Sequence, residues 1–301
     1  MLGVSLVLKH CDPENPLWAK ACSLFKNCIG LIQGCVLRKE ICSKNLRQLM
    51  NHSEPKVSGV VAANLWGIKD EAKIPDDLYE CWKQAIVRHT DEEQEYILER
   101  IFPKHPDIAY EWIAWRLDGI RDGTRSFWFG SRYDRVLPTA IRLLTREQRR
   151  VLIEKMPKTS SVAELVRSLI GRDMELFTYL LDREDLEGVR LDPLRIDVGS
   201  GLHAENIVTD FDEGWQKMAI AAMEKGFSPE NIFSATQSGG YCWSGPMSSM
   251  FAARLSPFEK LLIHTDERIQ RVGKIGVDHF SKLLDAQLRG ERRAAIRGGD
   301  A

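Results

Sequence analysis

The sequence predicts an all-α protein, an irregular α-solenoid of stacked helical hairpins, on three observations. Apolar residues recur at i, i+3, i+4 and i+7 over most of the 301 residues. Helix-start signals separate the periodic runs. No clean strand run is present to build a parallel sheet and its nucleotide crevice. A two-helix unit cannot bury its apolar face alone and lends it to the next, so short helices joined by short loops stack. A compact irregular bundle is the alternative packing of the same helices. Helix above roughly 55% is expected, against about one third in ordinary globular chains.

In order along the chain, periodicity places helices near 13–29, 31–50, 57–67, 76–89, 91–102, 106–120, 134–144, 146–155, 161–170, 173–183, 211–225, 229–235, 246–263 and 266–297. Four start signals have the form of a capping box: Thr90 with Glu93, Thr145 with Gln148, Ser161 with Glu164, and Ser256-Pro257-Phe258-Glu259. There a hydroxyl accepts from a first-turn amide while the acid or amide three residues on reaches back. Ser228-Pro229 adds a cap with proline at the first helical position, where a missing N–H costs nothing. Two stretches break the pattern. Gly123 to Tyr133 is rich in aromatics and arginine without a period, and Asp185 to Asp212 is a long interruption. Within the latter, Val189-Arg190-Leu191 and Leu194-Arg195-Ile196-Asp197-Val198 alternate with period two around Pro193, a pattern compatible with a small β-hairpin insertion near 189–198. The chain divides on this basis into an N-terminal helical segment (1–184), an irregular insertion or linker (185–212) and a C-terminal helical segment (213–301).

Composition bounds the function classes. With 42 Lys+Arg against 43 Asp+Glu, 44% apolar and 28% charged residues, the chain is of the ordinary globular type, not disordered, collagen-like or a disulfide mini-protein. Seven cysteines (Cys11, Cys22, Cys28, Cys35, Cys42, Cys81, Cys242) form no CxxC pair, which predicts a reduced, cytoplasmic protein. The opening MLGVSLVLKHC lacks the length and cleavage signature of a signal peptide. The longest apolar window, Cys28 to Leu37, falls short of the roughly 18 residues of a membrane span, so no membrane partner is expected. Cys28, Cys35 and Cys42 recur every seven residues, but at 1.5 Å per residue they would spread over roughly 20 Å of one helix, too far to share a metal. They read as small core residues. His10, His52, His89, His105 and His203 show no HExxH or HxH spacing, and neither a metal nor a cofactor is expected.

The last helical pair, Phe258-Glu259-Lys260-Leu261-Leu262-Ile263-His264-Thr265-Asp266-Glu267-Arg268-Ile269-Gln270-Arg271-Val272-Gly273-Lys274-Ile275-Gly276, resembles a HEAT-type repeat. The inter-helix turn of such a repeat carries an Asp followed by apolar, basic and small positions at helical spacing. Asp266 would sit against the unpaired amides of the second helix, while Ile269, Val272, Gly273, Gly276, Phe280 and Leu283 line one face. Gly273 and Gly276 lower helix propensity, which fits a close approach by a neighbouring helix. Trp243-Ser244-Gly245-Pro246 and Arg289-Gly290-Glu291-Arg292-Arg293-Ala294 are similar to the C-terminal ends of helical-repeat arms in large bacterial multidomain proteins, NTPases of phage-defence type among them. The resemblance covers roughly 235–298, with an echo in 106–112. Gln270 stands where such repeats often carry Arg. No NTPase part carries over, because Gly240 to Gly245 supplies only a GxxxxG frame and Pro246 occupies the lysine position.

Charge distribution is the most informative functional feature. Residues 70–111 hold twelve acidic against five basic side chains, whereas 112–150 hold nine arginines against four acids. Arg121, Arg125, Arg132 and Arg135 interleave with Phe127, Trp128, Phe129 and Tyr133, pairing phosphate-binding groups with stacking platforms. The same residues equally suit an intramolecular role, with aromatics in the core of a long turn and arginines paired to the preceding acidic helices. The candidate binding set is Arg121, Arg125, Trp128, Arg132, Tyr133 and Arg135. The loop Ser234 to Pro246 offers Ser244 and Cys242, but Ser244 lacks the G-x-S-x-G frame, and a Cys242 dyad with His264 or His279 depends on the fold. Acids in 182–185 and 209–213 read as first-turn dipole partners rather than metal ligands. No catalytic motif emerges. The leading expectation is a non-enzymatic scaffold or recognition module for a protein partner, set by resemblance in a bacterial antiviral defence-type assembly. The rivals are a nucleic-acid-binding module using 112–150 with Arg289, Arg292, Arg293 and Arg297, and a hydrolase with an unrecognised site.

Overall fold

Helix-favouring periodicity becomes helix almost wherever the chain can be described. A computed structural model describes residues 43–52, 55–66, 76–89, 95–123, 136–157, 162–196, 211–237 and 246–298. About 82% of them are helical and none is in a strand. The chain divides into two units, Met1–Met156 and Pro157–Ala301, whereas the composition breaks had placed divisions at 185 and 213.

The first unit contains α1 (Ser43–Met50), α2 (Pro55–Trp66), α3 (Asp76–His89), α4 (Glu95–Ile101), α5 (Pro106–Arg121), α6 (Val136–Leu143) and α7 (Arg146–Glu154). Packing stays local in sequence: α1, α2 and α3 pack on one another, α3 on α5, α5 on α6 and α7, and α4 on α6. Trp82 and Trp112 are its largest fully buried side chains. The Trp82 indole N–H donates to the Ala62 carbonyl at 2.9 Å, which ties α3 to α2 and satisfies a polar atom that would be costly unpaired. Trp112 packs against Phe102 at 5.6 Å between ring centroids. Thr145 and Gln148 form the expected capping box at the start of α7, with bonds of 3.2 and 2.9 Å. Thr90-Glu93 and the hydroxyl of Ser161 lie outside the described residues.

The second unit contains α8 (Ala163–Ile170), α9 (Met174–Leu181), two 3-10 turns (Glu184–Val189 and Asp192–Leu194), α10 (Glu213–Glu224), α11 (Pro229–Gln237), α12 (Met247–Leu261) and α13 (Glu267–Gly298). The 3-10 turns correct the β-hairpin expectation as far as Ile196; 197 and 198 lie outside the described residues. In the first of these turns Leu186 and Val189 are buried, while Leu191, the alternating partner of Val189, is only partly covered. Pro193 then opens the second turn. The Leu194 carbonyl accepts from the Trp215 indole at 2.9 Å, fixing that turn on α10.

Asp173 and Asp212 cap α9 and α10 through first-turn amides, and Ser228 and Asn231 bond reciprocally around Pro229 at the head of α11. The acids of 182–185 form ion pairs instead: Arg183 forks onto Asp185 next to it, and Asp182, at the C-terminal end of α9, pairs with Lys225 just past α10.

Ser256-Pro257 is not a helix start. α12 runs through it, with Pro257 inside the helix. Interior proline costs roughly 3 kcal/mol. Met250, Phe258 and Leu261 continue one buried stripe along the helix, and burying each side chain contributes about 1.5–3 kcal/mol, which outweighs that cost. The stripe packs on α13, where both glycines serve as expected. A Cβ on Gly273 would come within 2.9 Å of the Leu261 Cβ and 3.1 Å of the Phe258 carbonyl, and one on Gly276 would come within 2.1 Å of the Phe258 ring. Phe258 also stacks on Phe280 at 5.6 Å and meets Phe211 and Phe233 edge-on.

Gly276→Ala should therefore destabilise the protein by about 1–3 kcal/mol through overpacking, against the roughly 1 kcal/mol that helix propensity alone would add. In a Phe258→Ala background the same change should be neutral or stabilising. Chemical denaturation of the four species tests this; a stabilising Gly276→Ala in the parent would place Phe258 elsewhere.

Candidate functional site

Of the six candidate binding residues, only Arg121 falls among the described residues; Arg125, Trp128, Arg132, Tyr133 and Arg135 lie outside them. Arg121 ends α5, 53% exposed, and its guanidinium pairs with Asp118 at 3.0 Å and Asp122 at 3.4 Å. These are neighbours on its own turn, not the acidic helices upstream. Arg116 on the same helix lies over the Trp112 ring at 4.5 Å. Arg116 and Arg121 are thus engaged in contacts within α5, and Arg150 pairs with Glu154 on α7.

Two polar clusters tie helices together. In the first unit the Tyr79 hydroxyl meets His105 Nδ1 at 3.0 Å, and the His105 ring packs edge-on against Trp82 at 5.4 Å. Beside them Lys83 bonds Asp107 at 3.2 Å and Glu111 at 2.5 Å, joining α3 to the first turns of α5. Burial works against the Lys83 charge, but the bonds to Glu111 and Asp107 prevail and raise its pKa. Burial, aided by Lys104 and opposed by Asp107, lowers the His105 pKa, and burial followed by Asp107 raises that of Tyr79. A neutral imidazole accepting from a phenol is a structural latch. Nearby Cys81 donates to Asn51 Oδ1 at 3.2 Å, and burial pushes its thiol up, which removes nucleophilic character.

In the second unit the turn between α12 and α13 is locked by His264. Its Nε2 bonds Gln216 Oε1 at 3.0 Å and its Nδ1 accepts the Asp266 amide at 3.0 Å, one tautomer satisfying both. Its carbonyl accepts from Gln270 at 2.6 Å. Gln270 thus closes the turn from the first turn of α13. Asp266 caps α13 as expected, accepting from the Arg268 amide at 2.8 Å. The Arg268 side chain, with the Arg268 and Ile269 amides, holds its carboxyl down at about 2. His264 and His279 are both committed, the latter packed against Phe233 and Phe280, while Cys242 lies outside the described residues.

What remains is a surface. α13 spans 32 residues, about 48 Å at 1.5 Å per residue. Ile269, Val272, Gly273, Gly276 and Phe280 bury its first half, and Leu283 is partly covered. Beyond Phe280 no side chain whose burial is described is buried. This distal portion is held to α12 by Glu291, which accepts from the Ser248 hydroxyl at 2.7 Å and from the Ser248 amide at 3.3 Å, with Gln287 bonding Glu291 at 3.2 Å. Leu288 (36% exposed), Ile296 (72%) and, at the start of α12, Met247 (43%) stand open to solvent at this end. The sequence had marked the arginines here but not the exposed Leu288 and Ile296, whose signal is their placement eight residues apart on one helical ridge.

Among the described residues no helix is long and apolar enough to cross a membrane, and no group of three His, Cys, Asp or Glu could hold a metal. No family model matches the chain, and comparison with curated proteins and with solved structures yields no match.

His105 makes the first latch pH-dependent. Its folded pKa is lowered, so its contribution is fully present above the unfolded value near 6.5 and is lost as pH falls through the lowered folded value. Urea denaturation from pH 8 to pH 5 should show stability falling in this window, with the fall reduced in His105→Gln. An unchanged slope in that variant would remove His105 from the latch.

Proposed function

We propose that the protein is a non-enzymatic helical scaffold that recognises a protein partner through the C-terminal hairpin. The observation that supports this reading most is the distal portion of α13, whose described side chains from 281 onward include none that is buried. A helix gains most of its stability from packing an amphipathic face rather than from propensity. Here Leu283 and Leu284 are half-buried and Leu288 and Ile296 exposed, while Glu291 and Gln287 hold the helix in place. Exposed apolar side chains on a preformed helix are the usual equipment of helix-to-helix recognition. Stacking of the hairpins as a HEAT-like solenoid, and a setting in a bacterial defence-type assembly, are carried by the resemblance of residues 258–276 and of the C-terminal segment. The local packing order of the helices is compatible with such stacking.

Co-purification from the native host with the full chain as bait, followed by mass spectrometry, tests the reading. A protein retained in near-stoichiometric amount by the parent chain and lost from a Leu288→Asp/Ile296→Asp variant is expected. Recovery of nucleic acid that elutes with salt, or of no partner at all, would overturn it, because phosphate contacts weaken steeply as counterions compete.

A further inference from the structure

We infer that the distal face of α13 docks an acidic amphipathic helix of another protein. The inference rests on the proposed function and specifies its partner. On α13 the side chains Leu284, Leu288, Arg292 and Ile296 follow one another at spacing four, and Asp285, Arg289 and Arg293 form the adjacent row at the same spacing. Rows at i±4 are the ridges that interdigitate when two helices pack. The first ridge runs about 18 Å and winds gradually around the helix, about 40° for each step of four, with Leu288 and Ile296 as its exposed apolar residues. Leu284 is half-buried, whereas Leu288, Arg292 and Ile296 are exposed, so the ridge rises out of the hairpin toward the helix C-terminus. Glu291, bonded to Ser248, marks the side that faces α12, and Arg289 and Arg293 lie roughly opposite it.

Charge selects the occupant. Arg289, Arg292 and Arg293 are exposed, and among the described residues no carboxylate pairs with them. Of the two carboxylates in their segment, Glu291 is committed to Ser248 and Gln287 and Asp285 stands exposed four residues before Arg289, leaving three arginines against one uncommitted acid; farther back Lys282 is matched by Asp278 at 2.7 Å. The C-terminal helix dipole favours cations at this end, which accounts for their sign, but not for the apolar ridge beside them. A second copy of this chain would set arginine against arginine across the apolar seam, a like-charge arrangement that disfavours pairing. Nucleic acid would cover the arginines but leave Leu288 and Ile296 against phosphate and sugar, with no stacking ring among Leu284, Leu288, Arg292 and Ile296. An acidic helix with an apolar stripe matches both rows at once: Leu or Ile against Leu288 and Ile296, and Glu or Asp against Arg289, Arg292 and Arg293.

The probe is a labelled synthetic helix of about 20 residues with Leu at i, i+3, i+4 and i+7 and flanking Glu. Its binding to the full chain is followed by fluorescence anisotropy in roughly 0.15 M salt, where the Debye length is about 8 Å. The same peptide with Lys for Glu, a single-stranded oligonucleotide, and sedimentation of the chain alone complete the set. The expected result is saturable binding of the Glu peptide, weakened at least about tenfold by Arg289→Glu/Arg293→Glu and by Leu288→Ser. The charge-reversed chain should bind the Lys peptide instead. All substituted side chains are exposed, and circular dichroism checks that each variant folds. No binding of the Glu peptide, equal binding of both peptides, tighter binding of the oligonucleotide, or a concentration-dependent dimer would each overturn the inference. A native partner that still co-purifies with the charge-reversed chain would sink the inference while leaving the protein-recognition reading intact; absence of any native partner would sink that reading itself.

Discussion

The contact of Phe258 with Gly276 sets the geometry on which the second unit depends. With no Cβ at 276 and none at 273, α13 approaches α12 until the Phe258 ring rests on helix backbone. That approach brings Phe258 onto Phe280 and into edge contact with Phe211 and Phe233, so one ring connects α11, α12, α13 and the residue preceding the α10 cap. The two helices are joined again at the start of α12, where the Ser248 hydroxyl donates to Glu291 some 15 residues beyond Gly276. The exposed distal portion of α13 is a consequence of this geometry.

Polar groups in the two units are spent on joining elements. His264 satisfies both ring nitrogens and its carbonyl within one turn, Asp266 gathers amides and a guanidinium, and Trp215 hands its N–H to a 3-10 turn. Buried or half-buried polar atoms cost free energy unless bonded, and satisfied ones fix a single arrangement.

The helices were legible because amphipathic periodicity and first-turn caps are local. Thr145 with Gln148, Ser228 with Pro229 and Asp266 before α13 each announce their helix within four residues. The two failures came from non-local terms. Ser256-Pro257 carries every mark of a start, yet the buried stripe from Met250 to Leu261 continues through it, and only the partner helix makes that stripe worth burying. Residues 189–191 and 194–198 alternate like strands, but the indole of Trp215, far along the chain, takes the Leu194 carbonyl and favours the 3-10 turn. Of the candidate site, the arginine-aromatic block was legible in the sequence, and Arg121, which can be followed, pairs with its own helix. The α13 surface was half legible: a run of arginines is visible in any reading, whereas the openness of Leu288 and Ile296 depends on where α12 stops covering α13.

Native-state hydrogen exchange along α13 tests the central claim, that one close helix contact anchors a long helix whose far end is left free for a partner. Amides from Ile269 to Phe280 should exchange only through global unfolding, while those beyond Glu291 should exchange by local opening at much lower free energy. Protection at the global level through the last turn would contradict the claim, because it would mean that the distal helix is already packed within the chain.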